Sequence, residues 1–250
     1  MSANQCSEQH LQQMAHKAGL HLSEADLAFV SSFHPYRADQ LALSALQSSR
    51  TVQVTTSEEQ IAFLPRDGAS LGVIFYQGAR VEAEAYAVFL HETARWGYAT
   101  FVCKMPLGLA VFGRDCAATL ISAYPAIQRW VLAGHSMGGG VACDFVAAHT
   151  NVGGLLLYAT FSGCDLSNRQ DLAVTMIYAT HDAVIPPAQV ISARSRLPAQ
   201  ARSVEISGGI HSFFGDYGLQ DGDGQATISR EEARVQILQA SHAFFQQIEP

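Results

Sequence analysis

The sequence predicts an α/β fold, with a mostly parallel central sheet, helices on both faces and a short helical N-terminal extension. Three observations carry this reading. From residue 51 onward, short apolar runs alternate with helical patterns about 10–15 residues long, the rhythm of a parallel sheet with crossover helices. Several runs are apolar throughout rather than alternating, as strands buried on both faces should be. The run at 129–133 ends in a tight glycine-bounded turn that opens directly into a helical pattern.

In chain order, residues 1–50 form the extension and residues 51–250 the α/β domain. Leu11, Met14, Ala15 and Ala18 have helical spacing, and Ser23 with Asp26 offers an N-terminal cap for a second helix to about Ser32. His34-Pro35 ends that helix, and 41–46 is expected to add a turn or two. Packing on the core is the default role of this segment; a flap near the site and a homo-oligomer contact are the alternatives. Strands are expected at 51–55 and 60–64, paired across a polar turn, then at 71–76, 98–103, 129–133, 152–158, 174–179 and 203–206. Helices are expected at 82–96, 114–124, 137–149, 187–196 and 230–247.

The chain of 250 residues is 48% hydrophobic and 15% charged, with a formal net charge of −7, as suits a globular domain. Lysine and arginine are scattered with no basic run, which argues against nucleic acid or an anionic membrane as the main partner. The five cysteines, Cys6, Cys103, Cys116, Cys143 and Cys164, lie mostly in apolar segments without a CxxC spacing. They read as reduced core residues of a cytoplasmic protein. The first residues lack the basic and apolar regions of a signal peptide, and no apolar run is long enough to span a bilayer.

The chemistry starts at Gly134-His135-Ser136-Met137-Gly138. A serine between two glycines at a strand-to-helix junction reads as a nucleophile elbow. The turn holds Ser136 in strained geometry, and side chains at Gly134 and Gly138 would strike neighbouring backbone. A serine hydroxyl needs a base, and a histidine needs a carboxylate to orient it. Asp182 follows the strand at 174–179, and His211 lies in a glycine-bounded loop after the strand at 203–206. Serine, acid and base thus each fall at a strand's carboxyl end, where sites of parallel sheets lie. His181 is the rival base and Asp165 the rival acid, while His135 reads as support beneath the elbow. The oxyanion of a tetrahedral intermediate needs two N–H donors. Met137 N–H supplies one; the loop after 71–76 supplies the other, from Ala79 or Arg80, with Gly78 permitting the turn.

Substrate contacts are expected from Gln77, Leu107, Phe161 and Phe213, with Leu109 adding to an apolar wall. Lys104 reads equally as a carboxylate binder and as a salt-bridged lysine. The connection from Tyr158 to Val174 leaves no room for a substantial cap, so the site should be open. The loop 221–232 matches several calcium-ligand positions, but Ala226 stands where the loop requires glycine, and Ser229 with Glu232 reads as a capping box. No metal and no cofactor are expected.

With Ser136, Asp182 and His211 in this order, the sequence resembles the α/β-hydrolase-fold serine hydrolases, within them the compact, capless bacterial group related to the dienelactone-hydrolase-like proteins. The resemblance covers roughly residues 50–248. It rests on the elbow, on Tyr76-Gln-Gly78, on Lys104-Met-Pro-Leu107 and on 208–218. It implies hydrolysis of small to medium carboxylic esters through an acyl-serine intermediate, without a cofactor. Thioester cleavage and perhydrolysis run on the same machinery, and a non-catalytic binding module on this fold is the alternative. Two departures stand out: serine replaces the cysteine of dienelactone hydrolases proper, and Tyr-Gln-Gly replaces the common His-Gly at the oxyanion strand.

Overall fold

A computed structural model describes residues 34–248 apart from position 162, together with Gln12 and Ser23. The two helices expected before residue 33 fall outside the described residues, bar those two positions. The expected turn near 41–46 is a short helix, α1 (Gln40–Ser44), capped by the Asp39 carboxylate on Ala42 N–H.

Eight strands follow: β1 (Val52–Thr56), β2 (Gln60–Pro65), β3 (Leu71–Tyr76), β4 (Ala99–Cys103), β5 (Arg129–His135), β6 (Gly154–Tyr158), β7 (Ala173–Ala179) and β8 (Arg202–Ile206). They form one sheet in the order β1-β2-β4-β3-β5-β6-β7-β8. β1 and β2 pair antiparallel, as does β2 with β4; every other pair is parallel. The crossovers carry α2 (Ala87–Arg95), α3 (Cys116–Ala123), α4 (Met137–Ala148) and α5 (Pro187–Ser192), and α6 (Arg230–Ile248) closes the chain. Two expected helices begin or end in tighter turns: 3₁₀ segments at Ala83–Tyr86 and Ala193–Arg196.

β3 shows why these runs become central strands. Every residue from Leu71 to Tyr76 is buried, and alternate side chains enter opposite cores. Val73 and Phe75 join Leu90, Tyr158, Phe244 and Phe245 on the face covered by α2 and α6. Ile74 and Tyr76 join Phe101, Trp130, Val141 and Met176 on the face covered by α3 and α4. Burying one such large side chain contributes about 1.5–3 kcal/mol, so the sheet is fixed from both sides.

The expectation of reduced cysteines is overturned for four of the five, Cys6 lying outside the described residues. Cys103 at the end of β4 is bonded to Cys116 at the start of α3, and Cys143 in α4 to Cys164 in the loop after β6. The residues lie 13 and 21 positions apart along the chain, and each pair closes a loop at the carboxyl edge of the sheet.

Candidate active site

The β5–α4 junction is a tight turn closed by two glycines. Ser136 has φ 54° and ψ −124°, a conformation L residues rarely hold. A Cβ on Gly134 would lie 2.5 Å from Gly138 backbone, and one on Gly138 would lie 2.2 Å from Tyr76 O. Both glycines are therefore required by space. Ser136 N–H donates to Tyr158 O at 2.9 Å, and its C=O receives Gly139 N–H at 3.0 Å. Met137, the first residue of α4, keeps its own N–H without a hydrogen bond among the described residues.

Strain recurs along this edge. The four non-glycine residues of positive φ among the described residues are Arg80, Leu107, Ser136 and Ala159, which follow β3, β4, β5 and β6 in turn. Left-handed backbone at such sites persists only where the surroundings enforce it. Arg80 N–H donates to Gly108 O at 2.7 Å, so it is not available as an oxyanion donor, whereas Ala79 N–H has no hydrogen bond among the described residues. Gly78 is needed for room and not for a left-handed turn: a Cβ there would lie 2.7 Å from His135 Nδ1, and the positive φ falls on Arg80.

Asp182 and His211 meet. Asp182 Oδ2 lies 2.7 Å from His211 Nδ1, with both side chains 1% exposed, and Asp182 Oδ1 accepts Ile185 N–H at 2.7 Å. The bond to Asp182 places the Nδ1 proton and leaves Nε2 as the basic nitrogen. Nε2 is buried with no hydrogen-bond partner. The rivals lie elsewhere: Asp165 is exposed and accepts Ser167 N–H, while His181 Nδ1 lies 2.8 Å from Gln225 O.

His135 is fully buried beneath this pair, its ring 4.6 Å from that of His211. Gly78 N–H donates to Tyr86 Oη at 2.9 Å, and the same hydroxyl is hydrogen-bonded to His135 Nδ1 at 3.0 Å. Burial, then the neighbouring His211, holds the His135 imidazole well below the usual histidine range.

The expected substrate contacts divide. Leu107 and Phe161 stand on the loops after β4 and β6, Leu107 half-buried and Phe161 exposed. Phe213 lies in the 3₁₀ turn His211–Phe214 with the Arg230 guanidinium 4.7 Å over its ring. Gln77 faces inward instead: its amide donates to Val81 O at 2.7 Å and accepts Met105 N–H at 3.2 Å. Its role is to brace the loop, because both ends of the amide are engaged. Lys104 pairs with Glu84 at 2.9 Å.

Several contributors escaped sequence reasoning. The Asp223 carboxylate accepts the N–H groups of His211 (3.0 Å), Ser212 (2.8 Å) and Gly224 (2.8 Å). Arg230 donates to the carbonyls of Ser212 and Gly215. The 211–214 turn is thus gripped by an anion at its amide end and a cation at its carbonyl end. Among the described residues no group of three His, Cys, Asp or Glu is arranged to hold a metal. The Ser229–Glu232 capping box is present, with Ser229 N–H on Glu232 Oε2 and Glu232 N–H on Ser229 Oγ.

The alpha/beta hydrolase family model matches residues 72–235. Among curated proteins none matches the sequence. Solved structures share the fold at low identity. One is TT1662 from Thermus thermophilus (15% identity, TM-score 0.55, covering 78% of this chain and 98% of that one). Another is DcsB in complex with its substrate analogue (14%, 0.57, 78% and 99%). A protein described as a dienelactone hydrolase from Klebsiella pneumoniae gives 18%, 0.57, 78% and 98%.

Proposed function

Because the chain belongs to the alpha/beta hydrolase family, with an eight-stranded sheet and no cap evident, we propose that it is a serine hydrolase of small to medium carboxylic esters. The observation that carries the reading is the buried Asp182–His211 pair, with Nδ1 committed to the carboxylate and Nε2 unpartnered. A histidine so prepared on the sheet edge that bears the elbow is a base awaiting a proton.

In this mechanism Ser136 Oγ attacks the ester carbonyl as His211 Nε2 takes its proton. Asp182 stabilises the imidazolium that results. The carbonyl oxygen becomes an oxyanion and receives the N–H groups of Ala79 and Met137, with the α4 N-terminus adding its dipole. Collapse of the intermediate breaks the ester C–O bond, and His211 returns its proton to the departing alcohol. Water then repeats the sequence on the acyl-serine and releases the acid. Serine hydrolysis needs no further group, and a small-molecule ester is the partner this chemistry requires. Leu107, Phe161 and Phe213 wall the acyl site.

The two cystine bridges favour an oxidising compartment over the cytoplasm. No described helix is long and apolar enough to cross a membrane. The reading is tested with Ser136→Ala, which should abolish ester turnover at unchanged thermal stability; a variant as active as wild type would remove it.

A further inference from the structure

The segment before β1 lies outside the stretch that matches the family, yet its described part touches both halves of the proposed machinery. Tyr36 forms a parallel bridge with Val81. Its N–H donates to Arg80 O at 2.7 Å, and its C=O accepts Glu82 N–H at 3.0 Å. The Glu82 carboxylate accepts Ala38 N–H at 2.9 Å, and Arg80 Nη2 donates to His34 O at 3.0 Å while the guanidinium lies 5.2 Å over the Tyr36 ring. On the other side, Ala38 bridges antiparallel to Tyr217, and Asp39 N–H donates to Asp216 O at 2.9 Å. The Tyr36 ring lies 5.8 Å from that of Tyr217, and its hydroxyl accepts Asp221 N–H at 3.3 Å. One short extended segment therefore lies across the loop that carries Ala79 and the loop that continues from His211.

We propose that residues 34–39 are a strap that sets the oxyanion-donor loop against the histidine loop, with Tyr36 as its positioning residue. The inference rests on the serine-hydrolase reading above. Arg80 is left-handed, and its two backbone polar groups are fixed from outside the loop: N–H by Gly108 O, C=O by Tyr36 N–H. Arg80 directly follows Ala79. Tyr36→Ala keeps the backbone N–H that bonds Arg80 O but removes the ring that seats it against Tyr217 and under the Arg80 guanidinium, so the anchor loosens, and a donor displaced by about 1 Å loses on the order of 100-fold in rate. Ground-state binding of the ester does not use this N–H fully, so the loss falls on kcat.

The test uses the full chain: wild type, Tyr36→Ala, Glu82→Ala and Glu82→Gln. Each is measured for thermal stability, for kcat and KM on p-nitrophenyl acetate, and for affinity toward an aryl boronate, which forms a tetrahedral adduct on an active serine. Expected for Tyr36→Ala and Glu82→Ala is a fall in kcat of roughly 10- to 100-fold with KM within about twofold, and boronate affinity falling in proportion. Glu82→Gln keeps an oxygen for Ala38 N–H and should recover most of the loss. If Tyr36→Ala does not fold, the Glu82 pair decides. Unchanged kcat and boronate affinity in folded variants overturn the strap alone, as does a loss that Glu82→Gln fails to recover. A folded wild type that neither turns over the ester nor binds boronate overturns the serine-hydrolase reading, and the strap with it.

Discussion

His211 Nδ1 stands 2.7 Å from Asp182 Oδ2, and water reaches neither side chain appreciably. In that setting the carboxylate does two things: it fixes the tautomer that leaves Nε2 basic, and it faces the imidazolium that forms during attack. Asp182→Asn keeps the shape and an oxygen for Ile185 N–H but can donate a proton to Nδ1, inverting the tautomer. The expected result is a kcat lower by roughly 10³- to 10⁴-fold with a melting temperature close to wild type. Ester kinetics and a thermal melt on the same sample check it.

His135 makes stability depend on pH. Its folded pKa is depressed by burial and by His211, with the Tyr86 hydroxyl as its hydrogen-bond partner. The unfolded chain therefore binds a proton near pH 6.5 that the folded chain refuses. Between those two pKa values the unfolded state holds more protons, so stability falls as pH drops below about 6.5, by up to about 1.4 kcal/mol per pH unit from this one group. Denaturant unfolding at pH 7 and pH 5 should show the decline, and His135→Gln should flatten it.

Two glycines among the first four residues of α4 should respond oppositely to alanine. A Cβ on Gly138 would meet the backbone oxygens of Tyr76 at 2.2 Å and Gln77 at 2.4 Å, neither of which can rotate away. Gly138→Ala is expected to cost ~3 kcal/mol or more and to lose activity. A Cβ on Gly140 meets nothing within 4 Å in a helix interior, so Gly140→Ala should gain about 0.5–1 kcal/mol. Chemical denaturation of both variants measures the contrast.

Alkylation of the unreduced, unfolded chain should leave Cys103, Cys116, Cys143 and Cys164 unlabelled, and peptide mapping should recover the 103–116 and 143–164 pairs. Replacing Cys103 and Cys116 together by serine is expected to cost about 3 kcal/mol, the loop-closure value for a ring of this size. Leu107 lies within that ring, so ester KM should rise as well.

The parts of the site that sequence made legible are those fixed locally. Gly134 and Gly138 are dictated by a five-residue turn, and Ser136 and Asp182 each follow a strand whose buried run is visible in the chain, while His211 follows an edge strand in which only Ile206 is buried. What stayed hidden depends on contacts between distant segments. Tyr36 reaches Arg80 and Asp221, and Arg230 reaches Ser212, through geometry that no periodicity encodes. Asp223 was ambiguous because a carboxylate flanked by glycines suits an ion and a row of backbone amides equally well. The amide of Gln77 is engaged by Val81 and Met105 because a polar residue at a strand's carboxyl end is as apt to brace a loop as to meet a ligand. Reduced and paired cysteines keep the same apolar company, so their neighbours in the chain do not tell them apart.

The central claim is that Ser136 is activated by His211, and intact-mass labelling with a fluorophosphonate tests it most directly. Wild type should gain one adduct, Ser136→Ala none, and His211→Ala should react at least about 100-fold more slowly. A folded wild type that takes no adduct, or a Ser136→Ala variant labelled as fast as wild type, would contradict the account.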